Sequence, residues 1–269
     1  DRIPADKITE TAKNDYLAQV RAIRGYSHAY LATWYGDAVI MDFVPATAED
    51  AKIPREPEEK VKAFALEDLQ WSVEHIAEKP AEKGRIAKGI VLSMIARFNL
   101  LWGNYEDALD AANKVIALGQ YELDNDFLNI FSMAGQNSPE IICTYEHVKT
   151  TYAFTDVIRF YNNADGGWAS FVPTQNLVDM FEMENGKNID EPGSGYDPVH
   201  PFANRDPRLK NTVIYPGMDW IGRNDVPRVI NTLDKTLPDG TTNSDYYMAA
   251  DNASHTGLLW AKYLRPNQS

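Results

Sequence analysis

The chain has 269 residues, 44% of them apolar, which is enough for one large domain or two small ones with a filled core. It carries 39 acidic against 26 basic residues, a net charge of −13, and no cluster of Lys and Arg. That balance excludes a phosphate-backbone footprint, so nucleic acid is not a partner, and it excludes unaided attraction to an anionic bilayer. No apolar run approaches the ~18 residues of a membrane-crossing helix.

Residues 1–14 are polar and read as a lead-in. From Leu17 to Trp34 a helix is expected, with Val20, Ile23, Tyr30 and Trp34 on its packing face and Arg21, Arg24 and His28 off it. After a turn at Gly36 comes a short apolar run, Val39 to Val44, and then a charged loop that Pro45, Pro54 and Pro57 keep from being helical throughout. Glu58 to Ala77 is helical again, with Val61, Ala65, Leu69, Ser72 and Ile76 on one face, and Lys79-Pro80 ends it. Gly84 to Leu123 reads as two antiparallel helices joined by Trp102-Gly103-Asn104. Ile86, Ile90, Met94, Phe98 and Leu101 form the first stripe; Tyr105, Ala108, Leu109, Ala112, Val115 and Ile116 form the second. Gly119 is the expected C-terminal cap.

Gly103-Asn104-Tyr105-Glu106-Asp107-Ala108 is the turn of a tetratricopeptide (TPR) hairpin, and Gly36 sits in a similar setting 67 residues earlier, close to two repeats of roughly 34. Such a hairpin cannot bury its stripe alone and implies neighbouring helices. Trp34, Trp71 and Trp102 are assigned to packing in this scaffold.

After Tyr121 helical periodicity fades, and Gly, Pro, Asn and Asp become frequent. Glu140 to Glu146 alternates like a half-buried strand, with the lone Cys143 as a packed thiol. Tyr152 to Tyr161 is aromatic and β-like. A turn-rich loop, Asn162 to Gly167, ends on Trp168. A short helix follows from Pro173 or Thr174 to Asn185-Gly186, with Leu177, Val178 and Phe181 inward. A polar loop closes on Asp206-Pro207-Arg208, read as a turn with the Arg paired to a carboxylate, and leads into a strand from Thr212 to Tyr215. The fold class is mainly α: TPR-like hairpins over 1–120, then an irregular, loop-rich lobe with short strands over 121–269.

Several segments carry a resemblance to one family. They are Ala22-Ile23-Arg24-Gly25-Tyr26 with Tyr35-Gly36-Asp37, Gly84 to Gly89, Pro173 to Glu182 with Asn185-Gly186-Lys187, Asn204-Arg205-Asp206-Pro207-Arg208-Leu209, and Gly257 to Leu264. In order and spacing they are similar to SusD/RagB proteins, across nearly the whole chain. The resemblance implies a surface lipoprotein of the bacterial outer membrane that captures oligosaccharides without cutting them. It implies delivery to a SusC-like TonB-dependent transporter, which the TPR helices meet. It implies no cofactor. Against that family the chain is without the N-terminal lipidated cysteine, the first helices and a C-terminal helical stretch. The lipid anchor is therefore expected outside these residues.

A pyranose ring asks for flat aromatic faces, and its hydroxyls ask for amide, carboxylate or guanidinium groups. Tyr161, Asn162, Asn163, Asp165 and Trp168 offer both within eight positions, on a loop whose two glycines favour an exposed tip at Trp168. Trp220 with Arg223 and Asn224 is a second cluster, and Tyr246-Tyr247 a third. Asp239, Thr241, Asn243 and Asp245 alternate oxygens like a calcium loop, but Ser244 stands where its glycine is required, so a plain loop is the expectation and no metal is assigned. Five scattered histidines show no metal spacing, and no nucleophile elbow or phosphate loop is present. Two alternatives stay open: a helical glycoside hydrolase, whose carboxylates need not be close in sequence, and a TPR adaptor with Arg24, His28 and Lys88 lining a groove.

Overall fold

A computed structural model describes residues 6–264 apart from 81, 83, 133, 149, 224 and 250. The fold is mainly α with an irregular part that contains short strands. The chain separates into two compact units, Asp1–Glu122 and Leu123–Ser269.

In the first unit α1 (Glu10–Tyr35) packs on α2 (Glu58–His75), α2 on α3 (Lys88–Leu101), and α3 on α4 (Tyr105–Ala117). Thr9 caps α1 by accepting from the Ala12 N–H, and Asp37 accepts from the Glu58 N–H at the start of α2. The expected face of α2 holds: Val61, Ala65, Leu69, Ser72 and Ile76 are all buried.

The expected face of α1 is reversed. Ala18, Ala22, Gly25, Ala29 and Ala32 point inward, whereas Val20, Ile23 and Tyr30 are exposed and Trp34 is 67% exposed. Close approach of the backbones is the reason. A Cβ on Gly25 would lie 2.9 Å from the Ala65 carbonyl oxygen and from Leu69 Cγ, so only small residues fit on the α2 side. Trp34 is therefore not scaffold packing, while Trp71 and Trp102 are half-buried, the Trp102 indole donating to Thr33 Oγ1 at 2.9 Å.

Arg21 and Arg24 also turn inward, because Asp68 is there to receive them. Its fully buried carboxylate accepts from Arg21 Nε at 2.6 Å and from Arg24 Nε and Nη2 at 2.6 and 2.9 Å. Burial pushes the Asp68 carboxyl up, but the Arg24 and Arg21 donors overcome it and hold the group below the usual carboxylate range. The guanidinium groups lie over rings, Arg21 on Trp71 at 4.7 Å and Arg24 on Phe64 at 4.9 Å. His28 is buried beside Phe64.

In α3 the buried face is Val91, Leu92, Ile95 and Phe98, rotated from the expected stripe so that Leu101 is exposed. In α4 only Ala108 and Ala111 are buried; Tyr105, Leu109 and Ile116 face outward. In α4, as in α1 apart from His28, the buried positions are small residues and the largest apolar ones are exposed.

In the second unit Thr174 caps α5 (Gln175–Asp179), and Asp206 caps α6 (Pro207–Thr212) with Pro207 in its first turn. β1 (Val213–Ile214) pairs antiparallel with β4 (Leu259–Trp260), and β2 (Asp219–Ile221) with β3 (Pro227–Val229). The α5 helix ends earlier than expected. The Asp206 N–H donates to the Glu182 carbonyl and the Glu184 N–H to the Asn204 carbonyl, which commits that backbone to cross-pairing rather than helix. The carbonyls of Val178 and Phe181 accept from the buried Arg205 guanidinium, each at 2.7 Å.

Two β expectations fail. Glu140 to Glu146 joins no sheet among the described residues, and Cys143 is exposed rather than packed. Within Tyr152 to Tyr161 the segment Thr155–Arg159 is a 3₁₀ helix closed by local bonds such as Phe160 N–H to the Val157 carbonyl.

Candidate functional site

The loop from Tyr161 to Trp168 is built around a buried carboxylate. Asp165 closes a short 3₁₀ turn, Asn163–Asp165. It accepts from the Trp220 indole N–H at 3.3 Å, the Arg223 backbone N–H at 3.1 Å and Arg228 Nη2 at 2.9 Å. Asp245 supports the same loop, accepting from Asn162 Nδ2 at 2.8 Å and the Ala164 N–H at 3.0 Å. The loop is thus tied to the β2–β3 hairpin and to the chain near residue 245.

Gly167 shapes the exit. A Cβ there would fall 2.2 Å from the Tyr161 carbonyl oxygen, so the chain can fold back only without a side chain. Gly167→Ala is expected to cost about 3 kcal/mol by overpacking, read as a lowered urea midpoint at unchanged slope.

These bonds divide the candidate residues. Asn162, Asp165 and Trp220 are buried, Trp220 to 5% exposure, and face the interior because each is engaged in the network that holds the loop; they are not an open ligand surface. Tyr161 is buried too, with the Arg223 guanidinium 5.7 Å over its ring. Asn163 is half-buried, Arg223 is exposed, and Trp168 is 45% exposed. Asn224 lies outside the described residues. Tyr246 and Tyr247 are half-buried and meet edge to face at 5.2 Å. In the calcium-like loop, Asp239 accepts from Thr241, Asn243 donates to the carbonyls of Asn231 and Asp234, and Asp245 serves the loop above. Its side chains act as internal clamps.

The structure adds a row of rings that the sequence reading did not single out. Tyr145 lies 5.3 Å from His147, which stacks on Tyr152 at 5.3 Å and meets Phe154 at 5.2 Å. Phe154 lies 6.4 Å from Phe160, and Phe160 lies 5.3 Å from Phe171. Tyr145, Tyr152, Phe154 and Phe171 are exposed. The row holds together because Val148 and Tyr152 form an antiparallel bridge and because Ser170 and Phe171 donate to the Arg159 carbonyl. That second pairing carries Trp168 in the same segment, its N–H on the Ile158 carbonyl at 2.9 Å. A sequence signal existed: Tyr145 with His147, and Tyr152 with Phe154, each two apart, place rings on one side of an extended chain. The rings offer flat faces, while the Tyr145 and Tyr152 hydroxyls, 2.6 Å apart, and the His147 nitrogens add polar edges.

Among the described residues of the second unit, Asp165 and Asp245 are the buried carboxylates, and both accept hydrogen bonds. Such a ring surface can stack and orient a polar ring.

The sequence model of the SusD family matches residues 133–269, just over half of the chain. The chain belongs to the SusD family. A SusD-like protein of Formosa agariphila is 23% identical over 146 residues, covering 54% of this chain and 28% of its own length. Another SusD-like protein, from Bacteroides ovatus, is 20% identical over 196 residues, covering 65% and 36%. Among solved structures, a SusD-like carbohydrate binding protein from Bacteroides fragilis superposes with TM-score 0.76 at 20% identity, over 95% of this chain and 49% of that one. A structure described as holding a xylogluco-oligosaccharide superposes with TM-score 0.63 at 14% identity, over 98% of this chain and 52% of its own. The SusD fold therefore spans both units, and the chain covers about a third of the curated relatives' length and about half of these solved chains. Among the described residues, no helix is long and apolar enough to cross a membrane.

Proposed function

We propose that this chain forms part of a non-catalytic glycan-binding protein of the outer membrane surface, which hands oligosaccharides to a TonB-dependent transporter. The observation that carries the reading is the exposed row of rings from Tyr145 to Phe171, with Trp168 in the same segment. Membership of the SusD family supports it, as does the xylogluco-oligosaccharide held by a protein of the same fold. The open contributors are Trp168, Arg223 and Asn163 with the ring row; Tyr161, Asn162, Asp165 and Trp220 hold them in place. Sugars exchange water hydrogen bonds for protein ones at small net gain, so affinity comes from stacking and from several rings acting together.

The adaptor reading loses its groove, since Arg24 is bound to Asp68, His28 is buried and Lys88 sits 3.9 Å from Glu78. The hydrolase reading predicts product from an oligosaccharide; the present reading predicts none.

Affinity electrophoresis in gels containing xyloglucan tests the proposal. Trp168→Ala should speed migration in the glycan gel while leaving mobility in a plain gel and the thermal midpoint unchanged. Tyr152→Ala combined with Phe154→Ala should weaken binding further. Retardation unchanged in all variants would remove these rings from the site.

A further inference from the structure

The second unit carries a cleft of about 420 Å³ away from the ring row, lined by Phe127, Leu177, Met180 and Phe181 on its apolar side and by Arg208 and Lys262 among its charged groups. Its volume lies within the range of small-molecule sites. Lys262 is unusual in it. The ammonium stands 3.9 Å from the Phe131 ring centroid and 5.8 Å from those of Phe127 and Tyr263. Among the described residues no carboxylate pairs with it, in a chain of 39 acidic residues. Burial pulls its amine below the usual lysine range, and no neighbouring charge restores it. The other cation of the cleft, Arg208, is already held by Asp206. Asp206 is neutralised by the same contact, which leaves Glu182 as the remaining acid of the lining.

A half-buried ammonium backed by rings and lacking a counter-ion favours an anion arriving from outside. The rings offset part of its desolvation, and a carboxylate would offset more. The net charge of −13 opposes anions at long range, so capture of one must come from a local cation such as this. The apolar side, with Leu177, Met180 and Phe181, suits the C–H face of a sugar ring rather than a bare ion.

We propose that this cleft takes the carboxylate of a uronate residue in an acidic glycan, with Lys262 as its charge partner. The proposal rests on the glycan-binding reading above and adds the substrate class.

The test is calorimetric titration of the chain with trigalacturonate and with its methyl ester, which differ in charge but share one scaffold. The acid should bind at least tenfold tighter than the ester. Lys262→Met should abolish that difference, Lys262→Arg should keep most of it, and Trp168→Ala should leave the ratio unchanged. Free acetate should not compete at the same concentration. Equal affinity for acid and ester in the unmutated chain overturns the proposal, even if Lys262→Met does not fold. So does an undiminished preference in Lys262→Met, or competition by acetate. Xyloglucan binding with no preference for the acid sinks this inference alone. Binding of no glycan at all sinks the function reading with it.

Discussion

Asp68→Ala is expected to destabilise the helical unit by about 3–5 kcal/mol, the cost of breaking a buried pair and leaving its cation uncompensated. Two guanidinium groups from α1 meet in this one carboxylate, with exposed Glu67 a further partner of Arg21 at 3.5 Å, so the loss falls on the α1–α2 contact. Asp68→Asn keeps the shape but not the charge, and should fall between. Urea unfolding followed by helical circular dichroism reads both. The pH dependence follows from the depressed carboxyl. Asp68 is ionised in the folded protein below the pH at which it protonates in the unfolded chain, where its ordinary value is about 3.8. Its stabilisation is complete above that value and is lost as pH falls through the lower, folded one. Asp68→Asn should therefore flatten the acid limb below about pH 4, and an unchanged limb would show that the charge contributes nothing.

Asp165→Ala is expected to cost about 3 kcal/mol, the lower end of the same range, because Asp245 lies 4.0 Å from Arg228 and replaces part of the lost charge. Among the described residues the Nε of Arg228 has no hydrogen-bond partner, so little slack remains for that guanidinium. The second consequence is functional. Asp165 ties the Trp168 loop to the β2–β3 hairpin, so glycan retardation should fall although no exposed ring has been touched. Asp165→Asn keeps acceptor capacity for the Trp220 and Arg223 N–H groups and should recover most of the binding. Full binding by the alanine variant would mean that the loop needs no anchor there.

The sequence made some of this legible and concealed the rest for identifiable reasons. The face of α2 was readable because Val61, Ala65, Leu69 and Ile76 mark it at helical spacing, although the buried Asp68 beside them was not. The face of α1 was not, because periodicity marks where large apolar residues fall, and here glycine and alanine meet α2 while the large residues point out. Arg21 and Arg24 looked like solvent-facing residues; their partner Asp68 lies 44 to 47 positions away and has no local signature. The family motifs were visible, yet in the structure they are largely scaffold: Gly25 for helix approach, Asp37 and Asp206 as caps, Arg205 on the carbonyls of α5.

The candidate binding loop shows the same limit. The loop of Asn162, Asp165 and Trp168 was found because aromatic and polar residues crowd it, but composition cannot say which of them turn inward to hold it. Trp220 satisfies its indole on Asp165, 55 residues distant, which only a fold can reveal. The row from Tyr145 to Phe171 is assembled from a hairpin and a chain reversal, so its continuity in space is absent from the sequence.

The most direct test of glycan capture by these rings is a crystal structure of the chain soaked with a xylogluco-oligosaccharide. A pyranose stacked on Trp168 or on the rings between Tyr145 and Phe171, its glycosidic bonds intact, is the predicted result. A sugar bound elsewhere with those rings bare, or a cleaved one, would contradict it.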